Sequence, residues 1–73
     1  MEKNRLAKRI RAFRKLKGYT QLELAEELGI SIGILGAVER GTRMPDQRLI
    51  ERVADTLGIS VAELLPERDG KEE

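Results

Sequence analysis

The sequence contains neither cysteine nor histidine. Without cysteine, a disulfide framework and a thiolate metal site are both excluded. Without histidine, the chain lacks the commonest catalytic base and the commonest metal ligand. No pair of acids marks a cleft, so nothing in the sequence assembles a catalytic site. We therefore expect a protein that is not an enzyme and that holds no metal ion or cofactor.

Long apolar runs are also missing. The N-terminal stretch MEKNRLAKRIRAFRKLKG lacks the apolar core of a signal peptide, and no later stretch could span a bilayer. We therefore expect a cytoplasmic protein with no membrane partner. With 73 residues, the chain forms at most one small domain. Because a small chain buries only about 60% of its unfolded surface, helices and economical packing are favoured.

Charge is distributed unevenly along the chain, although the net charge is only +1. Residues 1–19 hold eight Lys and Arg against one Glu, a net charge of +7. Residues 20–73 hold six against twelve acids, a net charge of −6. A basic segment beside an acidic body suggests an anionic partner. Nucleic acid is favoured over a membrane surface, because the apolar side chains of the basic segment are needed for the core. The alternative is an ordinary solvated helix face that is rich in Lys and Arg.

Capping residues and glycines divide the chain into five predicted helices, and no strand pattern is present. The helices are expected at about residues 3–17, 21–28, 32–40, 46–57 and 61–65. The residues expected to begin helices as N-caps are Thr20, Ser31, Asp46 and Ser60. The glycines expected to end helices in the left-handed conformation are Gly18, Gly29, Gly41 and Gly58.

Apolar residues recur at helical spacing in each of these segments, which predicts a single core. The expected core residues are Leu6, Ile10, Phe13, Leu24, Ala25, Leu28, Leu35, Val38, Leu49, Ile50, Val53, Ala54, Leu57, Val61, Leu64 and Leu65, with Ile30 and Ile59 entering from turns. Residues 67–73 are charged and free of apolar side chains. We therefore expect an all-α domain over residues 1–66 and a flexible tail over residues 67–73.

The second and third predicted helices are joined by a very short link around Gly29. So short a link forces the helices to cross steeply, and Ala25, one turn earlier, leaves room for the approach. Leu35 and Val38 would hold the third helix on the second and leave its opposite face free. This arrangement is typical of a helix-turn-helix, whose second helix enters the major groove of DNA.

The stretch TQLELAEELGISIGILGAVERG, preceded by RIRAFRKLKGY and followed by LIERVADTLGISVAELL, resembles the phage-repressor and Cro-like (XRE-type) helix-turn-helix family. The agreement is distributed over Arg14, Gln21, Leu24, Ala25, Gly29, Leu35, Val38, Glu39, Gly41 and Pro45. The resemblance covers about Arg9 to Leu65. It implies a lambda-repressor-like fold and a sequence-specific DNA-binding transcriptional regulator, with double-stranded DNA as partner and a homodimer on two half-sites.

Two residue roles follow from the resemblance. Arg14 of the first helix is expected to pair with Glu39 at the end of the third helix. The position of Glu39 supports this, because an anion at a helix C-terminus is disfavoured by the helix dipole unless a cation compensates it. Gln21 is expected to begin the second helix against the phosphate backbone of DNA, next to Thr20.

The outward side of the third helix departs from the family pattern. Helical periodicity turns Gly33, Gly36, Ala37 and Arg40 away from the core, with Ile32 and Ile34 at the boundary. Direct readout of bases needs side-chain donors and acceptors, and only Arg40 supplies them, at the far end of the helix. The residues expected to contact DNA are Thr20, Gln21, Ile32, Gly33, Ile34, Gly36, Ala37, Arg40 and Arg43.

Three explanations of this bare surface remain open. An interior helical glycine lowers helix stability by about 1 kcal/mol relative to alanine. Two of them would be explained if the backbone of the third helix closely approaches a neighbouring molecule. That neighbour is DNA, read mainly through shape, or a protein partner bound to the apolar face formed by Ile32, Ile34 and Ala37. The third explanation is sequence drift on a surface under no demand.

Overall fold

Five helices follow one another along residues 2–65, the part of the chain that this computed structural model describes, with side chains from residue 5 onward. They are α1 (Glu2–Leu16), α2 (Gln21–Leu28), α3 (Ile32–Arg40), α4 (Gln47–Leu57) and α5 (Val61–Leu64). The all-α architecture is therefore confirmed. Residues 67–73, expected to form a tail, lie outside the described range. Among the described helices, none has the length and apolarity needed to cross a bilayer.

Side-chain caps set where the helices begin. Thr20 Oγ1 accepts a hydrogen bond from the Glu23 N–H (3.0 Å), and Glu23 Oε1 accepts one from the Thr20 N–H (2.9 Å). Ser60 and Glu63 form the same reciprocal capping box. Asp46 accepts from the N–H of Leu49 at 2.8 Å, so it caps α4 and does not form its first residue. Two unsatisfied N–H groups are thereby bonded at each capping box.

The core lies among α1, α2, α3 and α4: α3 packs on α1 and α2, α4 packs on the same two helices, and α5 closes the core against α1 and α4. The largest fully buried side chains are Ile10, Leu24, Leu35, Val38, Val53 and Leu64. Four expected core residues are only partly buried at the edge of this cluster, namely Phe13, Leu49, Val61 and Leu65. Ala7, absent from the expected core, is buried as well because α1 packs on both α4 and α5.

The turn between α2 and α3 fixes the angle at which α3 is presented. Gly29 adopts φ +73°, and the N–H of the following Ile30 donates to the Ala25 carbonyl at 3.0 Å. A left-handed residue at this position bonds the free carbonyls at the end of α2 and reverses the chain. Ser31 then caps α3 by accepting from the Ile34 N–H at 3.1 Å. α3 packs directly on α2, and Ala25 in α2 is only 1% exposed.

Candidate nucleic-acid interface

Arg14 is the centre of a buried polar cluster that holds α3 in place. Its Nε and Nη2 donate to the two carboxylate oxygens of Glu39, at 2.7 Å and 3.1 Å. Its Nη1 donates to the Tyr19 carbonyl at 2.8 Å. The side chains of Arg14 and Glu39 are only 9% and 2% exposed. Because this bidentate pair is buried, its geometry ties α1, the start of α2 and the end of α3 together.

Gln21 completes this cluster from the first turn of α2. Its Nε2 donates to Glu39 Oε1 at 3.1 Å, so that carboxylate oxygen accepts from both Gln21 and Arg14. The side chain is half-buried. We expected Gln21 to face a phosphate. In the structure one N–H of its amide is bonded inward, and any contact with an anion at this point would use the backbone N–H groups at the start of α2 or the second amide N–H.

The outward side of α3 presents few polar atoms. Gly33 and Arg40 are exposed, Ala37 and Ile34 are half-buried, and Ile32 is 46% exposed. The opposite side of the helix is buried in the core or in the polar cluster. The middle of the exposed stripe therefore offers backbone and methyl groups but no hydrogen-bonding side chain of its own.

Gly36 corrects one expectation. Helical spacing places it on the outward side, but the residue is buried. A Cβ built at Gly36 would lie 3.2 Å from Arg40 Nη1 and 3.9 Å from both Nε2 and Oε1 of Gln21. The expectation that Gly36 is open to a partner is therefore wrong, because the side chains of Arg40 and Gln21 cover it from two directions.

Arg43 lies on the other flank of α3, in the loop that leads to α4. The N–H groups of Thr42 and Arg43 both donate to the Ala37 carbonyl, at 3.0 Å and 3.3 Å. These bonds hold the loop on the last turn of α3 and place Arg43 beside Ile34, where both line a shallow groove. Arg48 and Arg52 line the same groove. A cluster of arginines thus borders α3 at its α4 side.

The expected contact residues are therefore brought to one region with a clear order. Thr20 and Gln21 lie on the flank formed by the start of α2, and Arg43 lies on the opposite flank. The bare stripe of α3 runs between them, with Arg40 at its end. Glu23, exposed in the first turn of α2, adds negative charge close to the first flank.

Sequence reasoning missed two features of this region. The Tyr19 carbonyl accepts from Arg14, and nothing in a sequence marks a carbonyl acceptor, because every residue has one. The inward role of Gln21 was also missed, although its partner Glu39 was expected to need a compensating cation at the end of the third helix. Among the described residues, no group of three or more acidic, Cys or His side chains is placed to hold a metal ion.

A family model described as Helix-turn-helix matches residues 10–64. The chain belongs to the helix-turn-helix family. It is similar to the uncharacterized HTH-type transcriptional regulator YazB of Bacillus subtilis, with 56% identity over 66 residues that make up 90% of this chain and 96% of YazB.

Two solved structures show the same fold as this helix-turn-helix chain. The clp gene regulator ClgR from Corynebacterium glutamicum superposes with a TM-score of 0.84 at 38% identity, covering 88% of this chain and 68% of that one. The master regulator for biofilm formation SinR, crystallised in complex with DNA, gives a TM-score of 0.76 at 37% identity, covering 81% of this chain and 95% of that one. The family resemblance inferred from the sequence is confirmed.

Proposed function

We propose that this protein is a DNA-binding transcriptional regulator that places α3 in the major groove of double-stranded DNA. Support comes from SinR, which shares the fold at 37% identity and was crystallised with DNA. YazB, the relative matched over nearly its whole length, is named as a transcriptional regulator as well. No observation favours the alternative of a protein-interaction adaptor.

The observation that carries the proposal is the contrast between the two sides of α3. Its inner side is fixed by Leu35, Val38 and the Arg14–Glu39 pair, all of them buried. Its outer side is free of such bonds and is followed by the exposed cations Arg40 and Arg43. A rigidly held helix with a smooth outer side and flanking positive charge suits close approach to a polyanion.

Affinity and sequence preference come from different residues in this arrangement. Arg43 and the backbone at the start of α2 would bind phosphates and set the register of the protein on the duplex. Ile32, Ile34 and Ala37 would contact thymine methyl groups, and Gly33 would permit close approach. With few side-chain donors on α3, the shape of the groove contributes a large share of specificity.

The test is a titration of the protein into a random-sequence duplex at about 50 mM and 200 mM salt. We expect salt-dependent binding that falls strongly when Arg40 and Arg43 are both replaced by alanine. The matched control replaces Arg5 and Arg11 of α1 by alanine, which removes the same charge from exposed positions of another helix. We expect this control to weaken binding less.

Two results would contradict the proposal. One is the absence of binding even at low salt. The other is an equal loss in the two double variants, which would indicate attraction by overall charge and not by the surface around α3. Self-association or protein capture that is lost in Ala37→Glu, without any DNA binding, would favour the adaptor instead.

We also propose that the protein binds as a homodimer to two half-sites in the cytoplasm. A single module makes few contacts, and regulators of this fold use dimers whose half-sites lie one turn of DNA apart. A cytoplasmic location follows because YazB and ClgR are proteins of bacteria, whose DNA lies there. Sedimentation of the protein alone and on a duplex tests the dimer. A single protein per duplex at saturation would contradict it.

A further inference from the structure

Arg40 does not extend from the end of α3 but folds back along it. Side chains on a helix lean toward its N-terminus, so residue 40 covers the surface one turn earlier. In this chain the residue one turn earlier is Gly36, and Arg40 Nη1 would lie 3.2 Å from a Cβ built there. Such a distance is tighter than nine in ten real Cβ contacts. A side chain at position 36 would therefore require the guanidinium to shift by at least a few tenths of an ångström.

Gly33, one turn closer to the start of α3, has no such neighbour. A Cβ built at Gly33 would meet only Ser31 Oγ, at the ordinary van der Waals distance of 3.8 Å. The two glycines of α3 therefore differ, although both count equally as poor helix formers. Only Gly36 makes room for another side chain of the protein.

The position of the guanidinium changes what the middle of α3 offers. Four residues of α-helix span about 6 Å, so folding back carries the cation from the end of the helix to its centre. Gly33 and Ala37 there have no polar side-chain atoms. The amide of Gln21, which is bonded to Glu39, also lies 3.9 Å from a Cβ built at Gly36.

We propose that Gly36 is a specificity-determining position, which places the Arg40 guanidinium over the middle of α3 to read a guanine near the centre of each half-site. This inference rests on the proposed function. Arginine bonding to guanine O6 and N7 is the commonest specific contact in the major groove. Gly36 itself touches no base in this arrangement. It acts through Arg40 and is a positioning residue.

The experiment begins by selecting binding sites from a randomised duplex pool with the full chain. The affinity for the selected site is then compared with that for duplexes carrying single base-pair changes, or 7-deazaguanine, which lacks the N7 acceptor, at each guanine. The proteins compared are the wild type, Arg40→Ala, Gly36→Ala, Gly33→Ala and the Gly36→Ala/Arg40→Ala double variant. Gly33→Ala is the matched control, because it makes the same chemical change without touching Arg40.

We expect the wild type to prefer one guanine by about tenfold, and Arg40→Ala to lose that preference. Gly36→Ala should retain only part of it, a drop of about threefold, because hydrogen bonds weaken steeply as the guanidinium is displaced. In the Arg40→Ala background, Gly36→Ala should cause no further loss. Gly33→Ala places a methyl group where the backbone is proposed to approach DNA, so it should weaken binding to all duplexes by the same factor and leave the guanine preference unchanged. Circular dichroism should show Gly36→Ala melting at or above the wild-type temperature, which separates the effect from unfolding.

Several outcomes would overturn the inference. Gly36→Ala with the full guanine preference would do so, as would Gly33→Ala with the same loss as Gly36→Ala. Salt-dependent duplex binding from which no site is selected would contradict the proposed guanine contact, while the proposed DNA binding would still hold. The absence of all duplex binding would instead defeat the proposed function, and this inference with it.

Discussion

The inner and outer sides of α3 differ in burial and in hydrogen bonding. On the inner side, Leu35 is 1% exposed in the core, and Glu39 accepts three hydrogen bonds from Arg14 and Gln21. On the outer side, Gly33 is exposed and Ala37 offers only a methyl group. The inner side therefore holds α3 in place on the domain, and the outer side determines which molecule α3 can bind. Substitutions on the two sides should have different consequences for stability.

The largest difference is expected between Leu35 and Ile32. Leu35→Ala should lower the free energy of unfolding by about 4 kcal/mol, because it removes apolar contacts and leaves a cavity. Ile32 is 46% exposed, so Ile32→Ala should change the free energy of unfolding by less than about 1 kcal/mol. Urea unfolding followed by circular dichroism measures both. Equal losses would mean that the two sides do not differ in packing.

The buried ion pair comes next. Arg14→Met should destabilise the protein by about 3 kcal/mol, because Glu39 would remain buried with its charge unpaired by arginine. In the Arg14→Met/Glu39→Met double variant, the loss should be smaller than in the single variant, since no buried charge is left. Chemical denaturation gives the three free energies. An unchanged melting temperature in Arg14→Met would rule the pairing out.

A smaller effect is expected at Gln21. Gln21→Ala should cost about 1 kcal/mol, because one of three hydrogen bonds to a buried carboxylate is lost. The matched control is Gln47→Ala, where the amide bonds to exposed Glu51 at a similar 3.1 Å. That control should cost no more than a few tenths of a kcal/mol. If thermal unfolding shows equal losses at both positions, Gln21 is not part of the inner support of α3.

The smallest expected effect is an increase in the free energy of unfolding. Gly33→Ala should stabilise the protein by about 0.5 to 1 kcal/mol, because position 33 is helical and has room for a methyl group. The same substitution at Gly29, which has φ +73°, should destabilise by about 1 kcal/mol. Differential scanning calorimetry distinguishes the two signs. A loss at Gly33 would show that its Cβ meets something that the structure leaves open.

Much of the fold was predictable because it depends on short-range rules. The N-caps at Thr20 and Ser60 were correct, since a cap needs only a side-chain oxygen and an N–H three residues later. The core stripes were largely correct for the same reason. Phe13 and Leu49 pack against the core as expected but are only partly buried, because periodicity gives the direction of a side chain and not how deeply its neighbours cover it.

The candidate surface was only partly predictable. Spacing correctly placed Gly33 and Arg40 on the exposed side of α3. It missed that Gly36 is buried. Arg40, one turn later in α3, lies nearest to this position, and Gln21, fifteen residues earlier in the chain, lies over it from α2. Helical periodicity describes neighbours within two turns. It contains no information on which distant side chain lies over a given face.

The amino-acid sequence alone determined the number of helices, their caps and the family. It also determined that the exposed side of α3 has few polar groups. Each of these depends on residue type and local spacing. Only the tertiary structure decided that Gln21 turns inward to Glu39 and that Arg40 lies back over Gly36. The first follows from the crossing of α2 and α3, which brings separate parts of the chain within hydrogen-bonding distance. The second is a contact within α3, for which the missing Cβ of Gly36 leaves room.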